Sequence, residues 1–415
     1  MTIPDPIRRT RSTPLILRED SEPGNARQRL REEREYKNIM STERPPDTIS
    51  PHLAAILGAS SSNETLISAI AAMKPGSAEV EAGFIPVQLA RTFDTTSPDK
   101  PAKKQLGSGG FGIAYEVRLS EDFLKDGRNL GRDFVFKAML RTDWNAPLPK
   151  NLYDRLPDDH AAEALVRERI SKAGDEIFNE FQIAASLVHT SRVMQVHGLV
   201  QIGDEFGILA EKIDGETARN LQRKSIDGLK QGVISPEEHL SFAKQVVADV
   251  LVGVSLFADA GLTHLDISPN NVLYDKKEKH FKLIDMGKGR EEGEEKEMGT
   301  MGYYDPFAAT ADQKSDVYSA GQLLVNLLKN PEISTGPMGL FGKRTVDTFP
   351  FMNELAKLSL DTKEEIVNLI SRMTAYSVAE RPTAQEVLRD TFLQKLASPK
   401  QIHAYYEKLN KLPGN

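Results

Sequence analysis

The stretch of sequence that decides the fold is His264–Asn271, which reads HLDISPNN. It follows a long apolar pattern typical of a helix and precedes a strand pattern. A carboxylate, Asp266, and an amide, Asn271, lie five positions apart, and Pro269 stiffens the loop between them. Such a loop can hold a carboxylate near an attacking hydroxyl and an amide near a metal ion. Its meaning depends on whether the flanking sequence supplies a phosphate-binding loop, a lysine and a second metal ligand.

The composition limits the function classes. The 415 residues allow one large or two ordinary domains plus a tail, and 39% hydrophobic with 27% charged residues is typical of a globular protein. The net charge of −7 argues against a nucleic-acid partner. The absence of cysteine excludes disulfides, thiolate catalysis and cysteine-ligated zinc. We find no apolar run that could span a bilayer, and no apolar segment follows the early arginines, so we expect neither a membrane span nor a Sec-type signal peptide.

The first hundred residues differ in texture from the rest. Residues 1–50 are rich in Pro, Arg, Glu, Ser and Thr and poor in aromatic residues, which predicts a disordered tail. Residues 51–102 contain apolar clusters that favour two short helices, followed by a linker with proline pairs.

From residue 103 the pattern predicts a strand-rich part and then a helix-rich part. The predicted strands include Lys104–Leu106, Ala114–Leu119, Phe134–Leu140, and a hairpin of Val193–Ile202 with Phe206–Lys212. Residues 141–159 form an irregular insertion. The predicted helices are Ala161–Ala173, Asp175–Val188, Glu237–Ala260, Asp316–Lys329, Lys363–Tyr376 and Ala384–Leu396.

The stretch Leu106–Ala114, LGSGGFGIA, contains a G-x-G-x-x-G pattern. Glycines let a backbone approach phosphates and present N–H groups to them. A dinucleotide-binding fold would place a helix directly after this pattern, whereas a strand pattern follows here. The alternative is a flexible surface turn. Strand, glycine loop and strand together favour a loop that covers nucleotide phosphates.

Lys137 ends an apolar strand pattern, where its charge needs a partner. We expect that partner to be the phosphates of a nucleotide together with Glu180, which lies on a helix with apolar positions on one face. Glu176, one turn earlier, is the alternative.

In this order the motifs resemble those of the protein kinase family, over about residues 103–397. The resemblance implies an α+β bilobal kinase fold, with an N-lobe at 103–213, a C-lobe at 214–397 and a C-terminal helix or tail at 398–415. It rests on the glycine loop, Val135-Phe136-Lys137, Glu180, His264-x-Asp266-x4-Asn271, Asp285-Met286-Gly287, Gly299-Thr300-x-x-Tyr303-x-x-Pro306, Ser315–Gly321 and Arg381-Pro382-Thr383.

The resemblance also implies site roles. Asp266 would orient the substrate hydroxyl and take its proton, supported by Thr300. Lys137, paired with Glu180, would hold the α- and β-phosphates of ATP, and Asn271 with Asp285 would hold Mg²⁺ or Mn²⁺. His264 is better interpreted as a packed core histidine than as a base. The nucleotide-binding residues would be Leu106, Gly107, Ser108, Gly109, Gly110, Phe111, Gly112, Ala114, Lys137, Glu211, Ile213 and Leu273.

The chain departs from the family pattern at several positions. Leu265 replaces an arginine that usually pairs with a phosphate on the activation segment. That segment, Gly287–Met298, contains five glutamates but no Ser, Thr or Tyr. Ser268 replaces a lysine expected to contact the γ-phosphate. Phe307 replaces the glutamate that normally pairs with Arg381, so Arg381 must find another partner or remain solvated.

These features predict an active Ser/Thr protein kinase that is not regulated by phosphorylation of its activation segment. The acidic segment is either a solvated loop or a docking site for an activating protein with basic residues. The alternative function is a pseudokinase that acts by binding; a small-molecule kinase would lack the C-terminal motifs.

The tail and the divergent domain resemble bacterial effector kinases, in which residues 1–50 would be a secretion signal into a host cell. The alternative is an ordinary cytoplasmic kinase. Ala210, before Glu211, is expected to open a pocket beside the adenine site.

Overall fold

A computed structural model gives the fold of most of the chain after residue 102. It describes residues 103–108, 112–119, 122, 124–125, 128–139, 176–177, 179–181, 183–184, 186–187, 191–202, 205–334 and 339–412. All of them belong to one compact unit. The predicted tail 1–50, the helices and linker of 51–102, the insertion 141–159 and the helix 161–173 lie outside these residues.

The strand-rich part is an antiparallel sheet of five strands in the order β1-β2-β5-β7-β6. A separate small hairpin is formed by β3 and β4. In chain order the strands are β1 (Lys103–Ser108), β2 (Gly112–Arg118), β3 (Leu124–Lys125), β4 (Arg128–Asn129), β5 (Asp133–Met139), β6 (Val196–Ile202) and β7 (Glu205–Glu211).

Side chains of β5 alternate between the two faces of this sheet, as a strand requires. Phe134, Phe136 and Ala138 are buried in a small core with residues of β2 and β7. Lys137 therefore leaves the opposite face, where β5 is paired with Ala114 on one side and Ile208 on the other. The alternation directs the one cation of this strand away from the apolar core.

The helical part is built around a long buried helix. The chain passes through β8 (Gly215–Thr217) and α1 (Ala218–Lys230) into α2 (Pro236–Asp259). A capping box of Ser235 and Glu238, with proline at the first position, starts α2. The expectation that no apolar run is long enough to span a bilayer is wrong, because helix α2 is long and apolar enough to do so. However, 67% of its apolar window is buried inside the protein. We therefore interpret it as the core helix.

Two small sheets position the loops that follow α2. Strands β9 (Leu262–Thr263), β10 (Val272–Asp275), β11 (His280–Leu283) and β12 (Arg290–Glu291) come next in the chain. One sheet has the order β11-β10-β8, and β12 pairs with β9. The stretch His264–Asn271 is therefore the loop between β9 and β10, while Asp285 lies two positions after the end of β11.

The rest of the chain is helical, with α3 (Gln313–Leu328), α4 (Leu360–Met373), α5 (Ala384–Leu388) and α6 (Pro399–Asn410). The predicted helix over Ala384–Leu396 is wrong in length: α5 ends at Leu388, and a separate 3-10 turn spans Thr391–Leu393. Asp390 causes the break, because its side chain accepts a hydrogen bond from the backbone of Phe392 and so starts a new turn. The predicted α+β class, strand-rich and then helical, is confirmed.

Candidate active site

Lys137 lies between two carboxylates. Its Nζ is 2.5 Å from Oε2 of Glu180 and 2.6 Å from Oδ1 of Asp285. Glu180 comes from helical residues between 176 and 186 that precede β6, and Asp285 comes from the segment after β11. The side chain of Glu180 is 1% exposed, whereas that of Asp285 is 45% exposed. The predicted pairing of Lys137 with Glu180, rather than with Glu176, is present, and the cluster opens to solvent on the side of Asp285.

The charges in this cluster stabilise one another. Burial by itself lowers the pKa of Lys137, but the carboxylates of Glu180 and Asp285 outweigh it and hold that pKa above its usual range. Burial raises the pKa of Asp285, yet Lys137 more than offsets this effect, so the pKa lies below its usual value. Lys137 is thus a fixed cation and Asp285 a fixed anion near neutral pH.

Asp266 is held in place by three donors. The hydroxyl and the backbone N–H of Thr300 donate to its Oδ1, at 2.6 and 2.8 Å. The Asn271 amide donates to its Oδ2 and to its backbone carbonyl, both at 2.9 Å. Gly299 precedes Thr300, and a Cβ there would collide with the carbonyl oxygen of Leu265. The loop therefore presents a carboxylate of defined orientation, as a general base requires.

Asp316, at the start of α3, fixes the backbone of this loop. Its two carboxylate oxygens accept hydrogen bonds from the backbone N–H groups of His264, at 2.7 Å, and Leu265, at 2.8 Å. It is 1% exposed, and Leu265 has a φ of 61°. The sequence placed Asp316 in a family motif but did not indicate this role. An acid at the start of an apolar helix is the signal that could have found it.

The loop and the Lys137 cluster belong to one site. The backbone N–H of Ile284, which precedes Asp285, donates to the carbonyl of Asn271 at 2.9 Å. His264 is fully buried against Phe257, as expected of a packed core histidine, and its Nε2 lies 3.3 Å from the Ile284 carbonyl. Asp285 itself has a φ of 64°, a conformation that costs energy in a non-glycine residue and clusters at functional sites.

The donor set fits a nucleotide with a divalent metal ion. Asn271 and Asp285 offer an amide oxygen and a half-exposed carboxylate, and Mg²⁺ uses one or two such protein ligands with phosphate oxygens and water. Within the described residues no group of three or more His, Asp or Glu side chains forms a metal cluster. The carboxylate of Asp285 is 45% exposed beside Lys137, so it remains open to a ligand. The site therefore has polar capacity that the protein itself does not use.

A protein-family model described as the protein kinase domain matches residues 159–393. The chain belongs to the protein kinase family. The match begins after Lys137 and the glycine loop, which the structure connects to the matched part through the contacts of Lys137 with Glu180 and Asp285.

Individual kinases are similar to parts of the chain. "Protein kinase YpkA" of Yersinia pseudotuberculosis is 28% identical over 179 residues, which cover 39% of this chain and 24% of that protein. "Calmodulin-binding receptor-like cytoplasmic kinase 2" of Arabidopsis thaliana is 27% identical over 247 residues, covering 57% of this chain and 51% of that kinase. "Serine/threonine-protein kinase pkn2" of Myxococcus xanthus is 24% identical over 302 residues, covering 69% of this chain and 31% of that kinase. The chain thus spans between a quarter and about half the length of these relatives.

The residues expected to bind the nucleotide that the structure describes lie on β1, β2, β5, β7 and β10, or just after β7. Leu106 and Gly107 are exposed on β1, and Ala114, Ile213 and Leu273 are half-buried. Gly112 lies so close to β5 that a Cβ would be 2.7 Å from the Ala138 carbonyl oxygen. Of Ser108 only the backbone is described, and Gly109, Gly110 and Phe111 lie outside the described residues.

Glu211, at the end of β7, is bound by groups of the protein. Its carboxylate accepts hydrogen bonds from Lys282 on β11, at 3.0 Å, and from the backbone of Gln195, at 2.8 Å. Lys282, only 6% exposed, also pairs with Asp275 at 3.1 Å. The side chain of Glu211 therefore connects the strand-rich part to the helical part. This ion cluster was not predicted, because its members are far apart in the sequence.

Arg381 pairs with Asp305 in place of the family's glutamate, which Phe307 replaces here. Its guanidinium binds both carboxylate oxygens of Asp305, at 2.5 and 3.0 Å, and both side chains are completely buried. Phe307, in the place of the family's glutamate, packs instead against the rings of Tyr318, Phe341 and Tyr376. The expectation of a new partner is confirmed, and that of a solvated arginine is wrong.

Proposed function

We propose that this chain transfers the γ-phosphate of ATP to serine and threonine hydroxyls of protein substrates. The observation that carries the proposal is the orientation of Asp266 by Thr300 and Asn271 beside the cluster of Lys137, Glu180 and Asp285. Folding alone does not require a partly exposed cation, three acids and an amide at one place. Kinase catalysis does require them, because it depends on positioning and on charge neutralisation.

Each side chain has a role in the proposed reaction. Asp266 accepts a hydrogen bond from the substrate hydroxyl and takes its proton as the oxygen attacks phosphorus. Lys137 binds the α- and β-phosphate oxygens, and Glu180 holds Lys137 in the direction needed. Asn271 and Asp285 would hold Mg²⁺, which would supply positive charge to the phosphate oxygens. The preference for Ser and Thr is supported by the contact between Thr300 and Asp266 and by the similarity to the serine/threonine-protein kinase of Myxococcus xanthus.

A pseudokinase is the second candidate, and Ser268 favours it. This residue stands where Ser/Thr kinases have a lysine expected to contact the γ-phosphate. Its hydroxyl is buried and has no hydrogen-bond partner. Loss of the lysine removes one positive charge from the transferred group. A chain that binds ATP but transfers its phosphate slowly or not at all would then act by protein interaction.

Regulation without phosphorylation of Gly287–Met298 belongs to the same proposal. Leu265, in the place of the phosphate-binding arginine, is 5% exposed and carries no charge. Part of the segment is fixed by backbone pairing, with Arg290 opposite Thr263 and Glu291 opposite Leu262. An activating partner with basic residues would meet four exposed glutamates, Glu291, Glu292, Glu294 and Glu295.

Changing these four residues to Gln tests the partner. Glu297 is left unchanged because Lys288 binds it. Activity that is equal in both forms, with and without cell extract, would refute an activator at this surface.

The proposed location is the cytoplasm, either of the producing cell or of a host cell that receives the protein by secretion. Residues 1–50 carry the secretion hypothesis, and the similarity to a Yersinia kinase is compatible with it. A reporter fused to residues 1–50 distinguishes the two. Export of the reporter by a secretion-competent strain, and not by a secretion-deficient strain, supports the host-cell location.

Incubation of the full chain with labelled ATP, Mg²⁺ and a generic basic protein tests the activity. We expect label on serine and threonine, measured by phosphoamino-acid analysis. Transfer should disappear in Asp266→Ala and in Lys137→Ala. Matched controls are Asp361→Ala and Lys277→Ala, which change exposed residues away from the site and should leave the rate unchanged. Absence of transfer by the wild type, or transfer that persists in Asp266→Ala, would refute the proposal; nucleotide binding without transfer would favour the pseudokinase.

A further inference from the structure

Lys288, three positions after Asp285, joins two carboxylates from different parts of the site. Its Nζ is 2.9 Å from Oε1 of Glu176 and 2.6 Å from Oε2 of Glu297. The exposed fractions of the side chains are 18% for Lys288, 11% for Glu176 and 37% for Glu297. The bridge is therefore shielded from solvent on the side of Glu176, where ion pairs are screened less than at an open surface.

Glu176 and Glu297 lie on the two segments that position the proposed catalytic residues. Glu176 lies four positions before Glu180, so the two project from the same side of their helix. Its contact with Lys288 therefore acts on the helix that presents Glu180 to Lys137. Glu297 lies three positions before Thr300, which holds Asp266. Lys288 thus connects the helix that orients Lys137 with the segment that orients Asp266.

A second contact supports the same connection. The side-chain amide of Asn179 donates hydrogen bonds to the backbone carbonyls of Gly287 and Gly289, both at 2.8 Å. These glycines flank Lys288, so the helix binds the segment on both sides of the lysine. The charge state agrees with the geometry: burial alone lowers the pKa of Lys288, but Glu297 and Glu176 outweigh it and raise the pKa.

We propose that Lys288 is a positioning residue that holds the helix of Glu180 and the segment before Thr300 in the arrangement needed for transfer. In kinases that are switched by phosphorylation, a new phosphate orders this segment by pairing with basic side chains. Here the carboxylate of Glu297 provides a permanent negative charge and Lys288 provides its partner. This inference rests on the proposed kinase function, and it gives the physical reason why the segment needs no phosphorylated residue.

Substitution of Lys288 tests this role. In Lys288→Met we expect kcat at saturating ATP to fall roughly 5- to 100-fold, the range of typical coupling free energies. The Kd for ATP should rise by a smaller factor than kcat falls, because the ion pairs of Lys288 are with Glu176 and Glu297, which are not proposed to bind the nucleotide. Lys288→Arg should recover most of the rate, because it can still bridge two carboxylates. Lys408→Met is the matched control: Lys408 binds Glu238 at 2.6 Å, away from the site, and its loss should leave kcat unchanged.

A double-mutant cycle separates positioning from general destabilisation. Glu297→Gln should lower kcat by a similar factor, and the double variant with Lys288→Met should be no worse than either single variant. The rate of phosphatase-treated wild type should equal that of untreated protein. If wild type transfers phosphate and Asp266→Ala does not, but Lys288→Met keeps the wild-type kcat, this inference is refuted while the kinase function stands. If wild type fails to transfer phosphate at all, the kinase function is refuted and this inference with it.

Discussion

Two cations of this protein, one buried and one partly exposed, use carboxylates in opposite ways. Arg381 and Asp305 are both 0% exposed, and they form a closed pair under the aromatic ring of Tyr318. Lys137 also binds carboxylates at 2.5 and 2.6 Å, but its side chain is 23% exposed and that of Asp285 is 45% exposed. The first cluster is sealed, and the second opens to solvent.

The difference lies in which polar atoms are satisfied. Arg381 also donates to the carbonyl of Ala375, and Asp305 also accepts from Ser315 and from the backbone of Phe307. The charged groups of the sealed pair therefore find their partners inside the protein. In the open cluster, the carboxylate of Asp285 is 45% exposed and Asp285 adopts a strained backbone conformation. The comparison teaches that geometry alone does not mark a functional ion pair; unused polar capacity and exposure do.

The largest expected effect is on the open cluster. Lys137→Met keeps the length of the side chain but removes the cation, and we expect phosphate transfer to fall about 1,000-fold or more, as for other charges that act on a transferring phosphate. Tm should change little, because burial already raises the pKa of Glu180 and that acid can take a proton once its partner is gone. Initial rates and calorimetry on the same preparation measure both. A rate within ten-fold of wild type would contradict the role given to this cluster.

The sealed cluster should respond in the opposite way. Arg381→Met leaves Asp305 buried without a counter-charge, which should lower the free energy of unfolding by about 3–5 kcal/mol. The rate per folded molecule should stay near that of wild type. Adding Asp305→Asn should recover part of the loss, because it removes the unpaired charge. Urea unfolding measures these changes, and a loss below about 1 kcal/mol would mean that the pair is dispensable.

The sequence predicted the open cluster better than the sealed one. Lys137, Glu180, Asp266 and Asp285 could be placed because each lies in a motif whose spacing is local. The partners Asp305 for Arg381 and Glu176 for Lys288 could not, because they lie 76 and 112 positions away. Such contacts depend on how elements pack. The same limit explains why the helix after Ala384 was predicted too long, since Asp390 ends it by a side-chain hydrogen bond.

A third buried polar cluster, without an ion pair, extends the comparison to pH. His239 on α2 lies beside the Ser225 hydroxyl and the Leu327 carbonyl, and burial lowers its pKa to about 4 from 6.5. As pH falls below 6.5, the unfolded chain takes up the proton first. Neutral His239 therefore contributes fully to the free energy of unfolding above pH 6.5. About 2 kcal/mol of that free energy should be lost by pH 5.

Urea unfolding of wild type and His239→Gln at pH 7 and pH 5 measures this contribution. The wild type should lose more stability than the variant, by about that amount. Equal losses in the two proteins would show that His239 is protonated in the folded state at pH 5.

The smallest expected effect concerns Ala210, which is expected to open a pocket beside the adenine site. Ala210 on β7 is 1% exposed and pairs with Val135. Its small side chain should admit adenine-site inhibitors with a bulky substituent. Ala210→Phe should abolish inhibition by these compounds while the KM for ATP changes little. Dose–response curves measured with both forms check this, and equal inhibition would contradict the presence of a back pocket.

The shift in Tm on adding ATP with Mg²⁺ tests the contrast between the two clusters most directly. A ligand at 100 times its Kd stabilises the folded state by about 2.7 kcal/mol. We predict a rise in Tm for wild type, and no rise for Asp285→Asn, whose Tm without ligand should match that of wild type. Asp305→Asn should start from a lower Tm and show the full rise. A wild type that does not respond, or an Asp285→Asn variant that responds as wild type does, would contradict the assignment of the open cluster as the nucleotide site.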